Sequence, residues 1–268
     1  MATTPGKDVA KAAPAGAVVA HNYGEHAGAG LEGQDSSHLS IPFLNLLQAL
    51  SPQLEDENLS VKAGMLFNSV TNDAYDGKTG VEFVPAHIDH LITEWVPKEK
   101  GGGWVGVHDL ASDIVVHARE TSEDRNKLRT TSGNDLVETF YMYGIVVEDE
   151  TPVGMAVIAF TSTKIKSYKA WNTKRQMFPH RKFGIVGEPP LFAHRIRLTS
   201  VKQKNAKGEF YNFVLTPAVG GDIGKSLLAP DSDCLVAAMQ VRDMVKGGQA
   251  RAAFETADNA VGESAPPF

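Results

Sequence analysis

The sequence predicts a β-rich α+β domain, a small Greek-key barrel with added helices, set between two disordered ends. Three observations carry this. Apolar residues alternate over several short runs bounded by Gly, Pro, Asn or Asp turns. A stretch with helical spacing lies between two pairs of strand-like runs. Both ends are poor in large apolar side chains, so they have little to bury against the entropy of ordering.

Taken in order, residues 1–38 are rich in Ala, Gly and small polar residues, which predicts a disordered N-terminal arm. The ordered domain is expected over residues 39–247. Ile41, Phe43, Leu44, Leu46, Leu47 and Leu50 suggest a short helical apolar face, ended by Ser51-Pro52. Met65–Val70, Val81–Pro85, Ile88–Val96 and Trp104–Val107 read as strands. Asp76-Gly77-Lys78 turns between the first two, and the glycine-rich segment 98–103 makes a hairpin of the last two. Residues 117–135 are polar and charge-mixed, the pattern of an extended loop. Glu138–Val147 and Val153–Thr161 are two strong strands around the acidic turn Glu148-Asp149-Glu150. Lys164–Met177 has helical spacing through Ile165, Tyr168 and Trp171, and Pro179, Pro189 and Pro190 break up the loop beyond it. Phe192–Val201 and Glu209–Leu215 form a last hairpin. Asp231 caps a final helix through Val245, ended by Gly247-Gly248. Among small Greek-key barrels, an OB-like one suits this order of elements.

The chain has 268 residues, a formal net charge of −6 and one cysteine, Cys234, which excludes an intramolecular disulfide framework. No apolar run reaches the roughly 18–20 residues of a membrane span. Pro5 and Pro14 interrupt the first twenty residues, so no signal peptide is read there. These points predict a cytoplasmic protein. Between Lys164 and Lys207, however, the acidic chain turns basic. That stretch holds 12 of its 26 basic residues (Lys164, Lys166, Lys169, Lys174, Arg175, Arg181, Lys182, Arg195, Arg197, Lys202, Lys204 and Lys207) against one acid, Glu188. Tyr168, Trp171, Phe178, Phe183 and Phe192 are interleaved with them. Cations gather a polyanion locally, and rings beside them supply faces on which unpaired bases stack. Tyr168 and Trp171 are the expected stacking residues, with Trp95 and Trp104 from the glycine hairpin as further candidates.

After Gly248 the chain becomes a polar tail ending Glu263-Ser264-Ala265-Pro266-Pro267-Phe268. A ring behind two prolines and a carboxylate is a portable ligand for an apolar pocket with a basic rim. The tip resembles that of bacterial and phage single-stranded-DNA-binding proteins, which join an OB-fold core to an acidic tail ending in Phe. Three stretches of the core are similar to phage proteins of that role: Ile41–Gln48, Gly64–Thr71, and Glu94–Pro97 with Gly101–Gly103. The resemblance implies non-catalytic, largely sequence-independent binding of single-stranded DNA in replication or recombination. It also implies recruitment of partner proteins by Glu263, Pro266, Pro267 and Phe268, and is compatible with a homo-oligomer. An annealing mediator is the alternative, and a metal-dependent nuclease a more distant one.

Other motifs carry less. Gly220–Ser226 lacks the glycine spacing of a phosphate loop, with Val219 where glycine is needed. His87, Asp89, His90, His108, Asp109, Asp113 and His117 form no metal-ligand spacing. Cys234 falls on the apolar face of the last helix and reads as packing. Neither a catalytic residue nor a cofactor is expected.

Overall fold

The structure, a computed structural model, describes residues 29–30, 40–124, 127–206 and 208–254. Contacts divide the chain into two units, residues 1–34 and 35–268. In the first, only a turn at Ala29 and Gly30 is described. Apart from that turn, the expected N-terminal arm lies outside the described residues, as do residues 255–268 of the tail with its tip. The start of the expected tail is instead part of the fold: Arg251 and Ala252 pair with Ser40 and Ile41, and Ala250, Ala252 and Ala253 are buried.

The second unit opens with β1 (Ser40–Ile41), β2 (Leu44–Leu46), β3 (Leu66–Asn68) and β4 (Ala74–Tyr75). The helix expected over Ile41–Leu50 is thus corrected to two short strands. Phe43 bridges Val157, and the Val157 amide donates to Pro42 O at 2.9 Å, so pairing with distant chain overrides the local helical pattern. Asp76 Oδ1 accepts from the amides of Lys78 and Thr79 and holds the turn into β5 (Val81–Trp95). The two strands expected there are one, with a bulge between Pro85 and His87 that lets a proline sit in the ladder. Gly101, Gly102 and Gly103, all at positive φ, turn the chain into β6 (Trp104–His108).

The loop expected over 117–135 is partly α1 (Asp113–Thr121) followed by β7 (Leu128–Arg129). Val115 and Ala118 of α1 pack on Ile92 and Leu136. Then come β8 (Asp135–Glu148), β9 (Thr151–Thr161), α2 (Thr163–Gln176), β10 (Ile196–Asn205), β11 (Gly208–Pro217), α3 (Asp233–Lys246) and β12 (Arg251–Ala252).

In the main sheet β10 and β6 pair with opposite ends of β5, β8 runs beside β5, and β9 and β7 pair with β8, all antiparallel. The order β10-β5-β8-β9 is a Greek key with β6, α1 and β7 inserted between β5 and β8: three strands in chain order, and a fourth returning through α2 to lie beside the first. The β-rich α+β class is as the sequence predicts. The closed barrel is not: the ladders leave an open sheet with β9 and β11 as outer strands. One side chain spans part of that gap. Gln48 Nε2 donates to Tyr211 O at 3.1 Å, while its Oε1 accepts from the Tyr211 amide at 2.8 Å.

The sheet is buried on both faces, which explains the nearly continuous apolar run of β8. Phe140, Met142 and Val146 point to one side with Phe83, Phe160 and Phe213. Tyr141, Tyr143, Ile145 and Val147 point to the other, where Cys234, Ala238 and Val241 of α3 cover them. No helix among the described residues is long and apolar enough to cross a membrane.

Candidate nucleic-acid interface

Helix α2 follows β9 through Ser162, whose positive φ of 49° reverses the chain into it. The helix is 14 residues long, about 20 Å. Its burial has helical period. Tyr168 and Trp171 face the core, while Lys166, Lys169, Ala170, Thr173 and Lys174 face solvent. Tyr168 is 6% and Trp171 4% exposed, packed with Phe140 and Phe160 among others. This corrects the expected stacking role: neither ring has a face to offer a base, because both anchor α2 over the open edge of the sheet. Burial also pushes the Tyr168 phenol above its ordinary range.

Trp95 is partly buried against the α3-side core. Trp104 is partly buried too, and one face of its ring is taken by Phe254, with centroids 5.2 Å apart and planes 3° from parallel.

The cations divide as clearly. Arg195 and Arg197 hold β10 against β5. Arg197 Nη2 donates to Glu82 Oε1 at 2.6 Å, and Arg195 meets Glu82 Oε2 at 3.3 Å and Glu150 Oε1 at 2.9 Å. Arg175, largely buried, pairs with Glu188 at 3.0 Å and with Asn172. Lys202 pairs with Glu209 across the β10–β11 hairpin, which lifts the lysine above its ordinary range. These four, expected to bind phosphate, have structural partners instead.

Among the described residues Lys166, Lys169, Lys174, Arg181, Lys182 and Lys204 form no ion pair, and all six are exposed. Lys169 lies over the Phe140 ring at 5.5 Å, and Lys164, half-buried, over Phe213 at 5.7 Å. Lys164 and Lys166 sit in the first turn of α2, which has no acid, so they oppose the positive end of the helix dipole.

Packing ties the start of α2 to the β10–β11 arm. At the start of α2, Asn212 Nδ2 donates to Thr163 O and to Gln203 of the β10–β11 arm. That arm leaves β5 after Leu198 and carries Lys202 and Lys204, with residues 201–206 exposed. Lys207 falls outside the described residues. At the far end of α2, a short 3-10 turn, His180–Phe183, presents Arg181 and Lys182. Two rings that the sequence places among the cations, but not among the expected stacking residues, stand here. Phe183 is 57% exposed and stacks on Phe178, centroids 4.8 Å and planes 24° apart. The only signal for them was their place among the cations, which the buried rings shared. Gly224 lies against this stack: a Cβ there would come within 3.2 Å of Phe178 Cζ and 3.5 Å of Phe183 Cδ1.

Three of the four histidines between 87 and 117 have a carboxylate of their own: His87 with Asp89, His90 with Glu138, His108 with Glu94. Among the described residues no group of three or more His, Cys, Asp or Glu is placed to hold a metal ion. In the glycine-rich segment 220–226, Ser226 is buried and its hydroxyl donates to Asp222 O and accepts from the Val219 amide.

Fold and surface together define a β-rich α+β protein with a Greek-key sheet and exposed cations on α2 and on the segments at its two ends. The chain belongs to the Pam3 phage gp34-like protein family, whose model matches residues 10–251. No curated protein and no solved structure matches it.

Proposed function

We propose that this phage-family protein binds single-stranded DNA without catalysis and largely without regard to sequence, in replication or recombination in the host cytoplasm. The observation that carries the reading is the exposed face of α2, where Lys166, Lys169 and Lys174 line up without acid partners. Phosphates would displace counterions along it, and the arm and the His180–Phe183 turn would extend the track at its two ends.

The Greek-key order, with a helix between the third and fourth strands and a gap between outer strands, supports an OB-like assignment, since that fold is a partly open five-stranded barrel. The face of β8 and β9 on which such folds bind oligonucleotides is here covered by α3. That cover favours the α2 side as the binding surface. Recruitment of replication proteins through Glu263, Pro266, Pro267 and Phe268 belongs to the same proposal.

The test is an anisotropy titration of a labelled homopolymeric single strand at several salt concentrations. Wild type is compared with the triple variant Lys166→Glu/Lys169→Glu/Lys174→Glu. Each lost phosphate contact lowers the slope of log K against log salt by about 0.7, so the variant should lose about 2 in slope and more than tenfold in affinity at low salt. Equal affinities for the two proteins at every salt concentration would remove α2 from the site. Intrinsic tryptophan quenching is not expected from Trp171, since its ring is buried.

A further inference from the structure

Leaving a phenylalanine largely in water forgoes the stabilisation that burial would give, so an exposed ring on a well-held turn calls for an explanation. The turn carrying Phe183 is well held. Gly184 closes it at a φ of 73°, His180 is buried beneath it, and the Ile185 amide donates to His180 O at 3.1 Å. Phe183 rests on Phe178, whose ring meets His180 edge-on with centroids 5.0 Å apart. The result is a pile of rings whose outermost member remains 57% exposed. Arg181 and Lys182 project from the same turn, and Lys225 follows the glycine that touches the stack. Glu188, the acid of that loop, is already engaged by Arg175.

Resting on the single-stranded-DNA reading above, we infer that Phe183 is a stacking platform for an unpaired nucleobase, flanked by Arg181, Lys182 and Lys225 as phosphate ligands. Exposed Met177 and Val186 nearby would also suit a protein partner. Lysines around the ring argue against that occupant, because protein interfaces are depleted in them. A base in a duplex has both faces covered, so the platform selects single strands, whereas the lysines of α2 attract either form.

Full-length Phe183→Ala and Phe183→Trp are titrated with a labelled twenty-nucleotide oligo-dT and with a duplex of equal length. Stacking on an aromatic is worth about 1–3 kcal/mol per base, so Phe183→Ala should weaken single-strand binding about 5- to 150-fold, leaving the duplex affinity and salt slope unchanged. Phe183→Trp should keep wild-type affinity, and its added fluorescence should be quenched by the oligonucleotide. Phe183→Ala binding oligo-dT within twofold of wild type, while the triple lysine variant does not, would overturn the platform and leave the DNA reading standing. The ring would then be a protein-docking surface. Equal losses for single strand and duplex would also overturn it. Failure of wild type itself to bind oligo-dT would remove both.

Discussion

Helices α2 and α3 have the same length, 14 residues, and cover opposite faces of one sheet, yet they are built for different ends. Helix α3 lies down on small side chains, Cys234, Ala238 and Val241, and seals the tyrosine-rich face of β8. Helix α2 stands on two large rings, Tyr168 and Trp171, and turns its lysines outward. Close packing by α3 leaves the sheet no free face on that side. The two ring anchors on α2 secure the helix while leaving its long polar side open. A helix can therefore belong firmly to the core and still present a binding surface, provided the anchoring residues are few and large.

The sharpest way to break this comparison is to remove an anchor. Trp171→Ala should cost about 3–5 kcal/mol of stability, while Ala238→Leu in α3, an overpacking change, should cost about 1–3. Urea unfolding midpoints measure both. A Trp171→Ala cost below that of Ala238→Leu would mean that α2 is held by something other than its rings.

His194 gives the next effect in size. Burial, then Arg175, then His180 push its imidazole down to about 4 from an ordinary 6.5. The folded state therefore prefers the neutral ring, and between those values the unfolded chain binds more protons. The stabilising contribution is complete above pH 6.5 and lost as pH falls towards 4, roughly 3 kcal/mol in all. His194→Gln should flatten the stability profile across that window. Parallel profiles for wild type and variant would show that the ring is not held neutral beneath the loop.

The smallest effect has the opposite sign. Lys166→Glu places an acid in the first turn of α2 and should raise stability by about 0.3–1 kcal/mol while weakening DNA binding. A loss of stability instead would make Lys166 a packing residue and dissolve the contrast with α3.

Much of the fold was legible. The long strands β8 and β9 announced themselves by β-branched and aromatic runs around an acidic turn, and α2 by the spacing of Ile165, Tyr168 and Trp171. Helix α1 was hidden because its apolar contribution to the core is only Val115 and Ala118 within a polar segment. The basic surface was legible as a region but not residue by residue. Arg197 stands opposite Glu82 in the sheet, 115 positions away, and that register decides its role. Periodicity within one strand contains nothing about its partner.

What the amino-acid sequence determined by itself is the segregation of charge and the period with which α2 repeats. Both are local properties, set by composition and by the 3.6-residue turn. Which rings face water and which face the core was decided by the tertiary structure alone. Tyr168, Trp171, Phe178 and Phe183 share one chemistry. Tyr168 and Trp171 are buried in one cluster with Phe140, Phe160 and Phe213, whereas among the described residues Phe178 takes one side of Phe183 and the ring stays 57% exposed. An aromatic side chain gains in either setting, so its role follows from its neighbours, and those neighbours are brought together by strands far away in the chain.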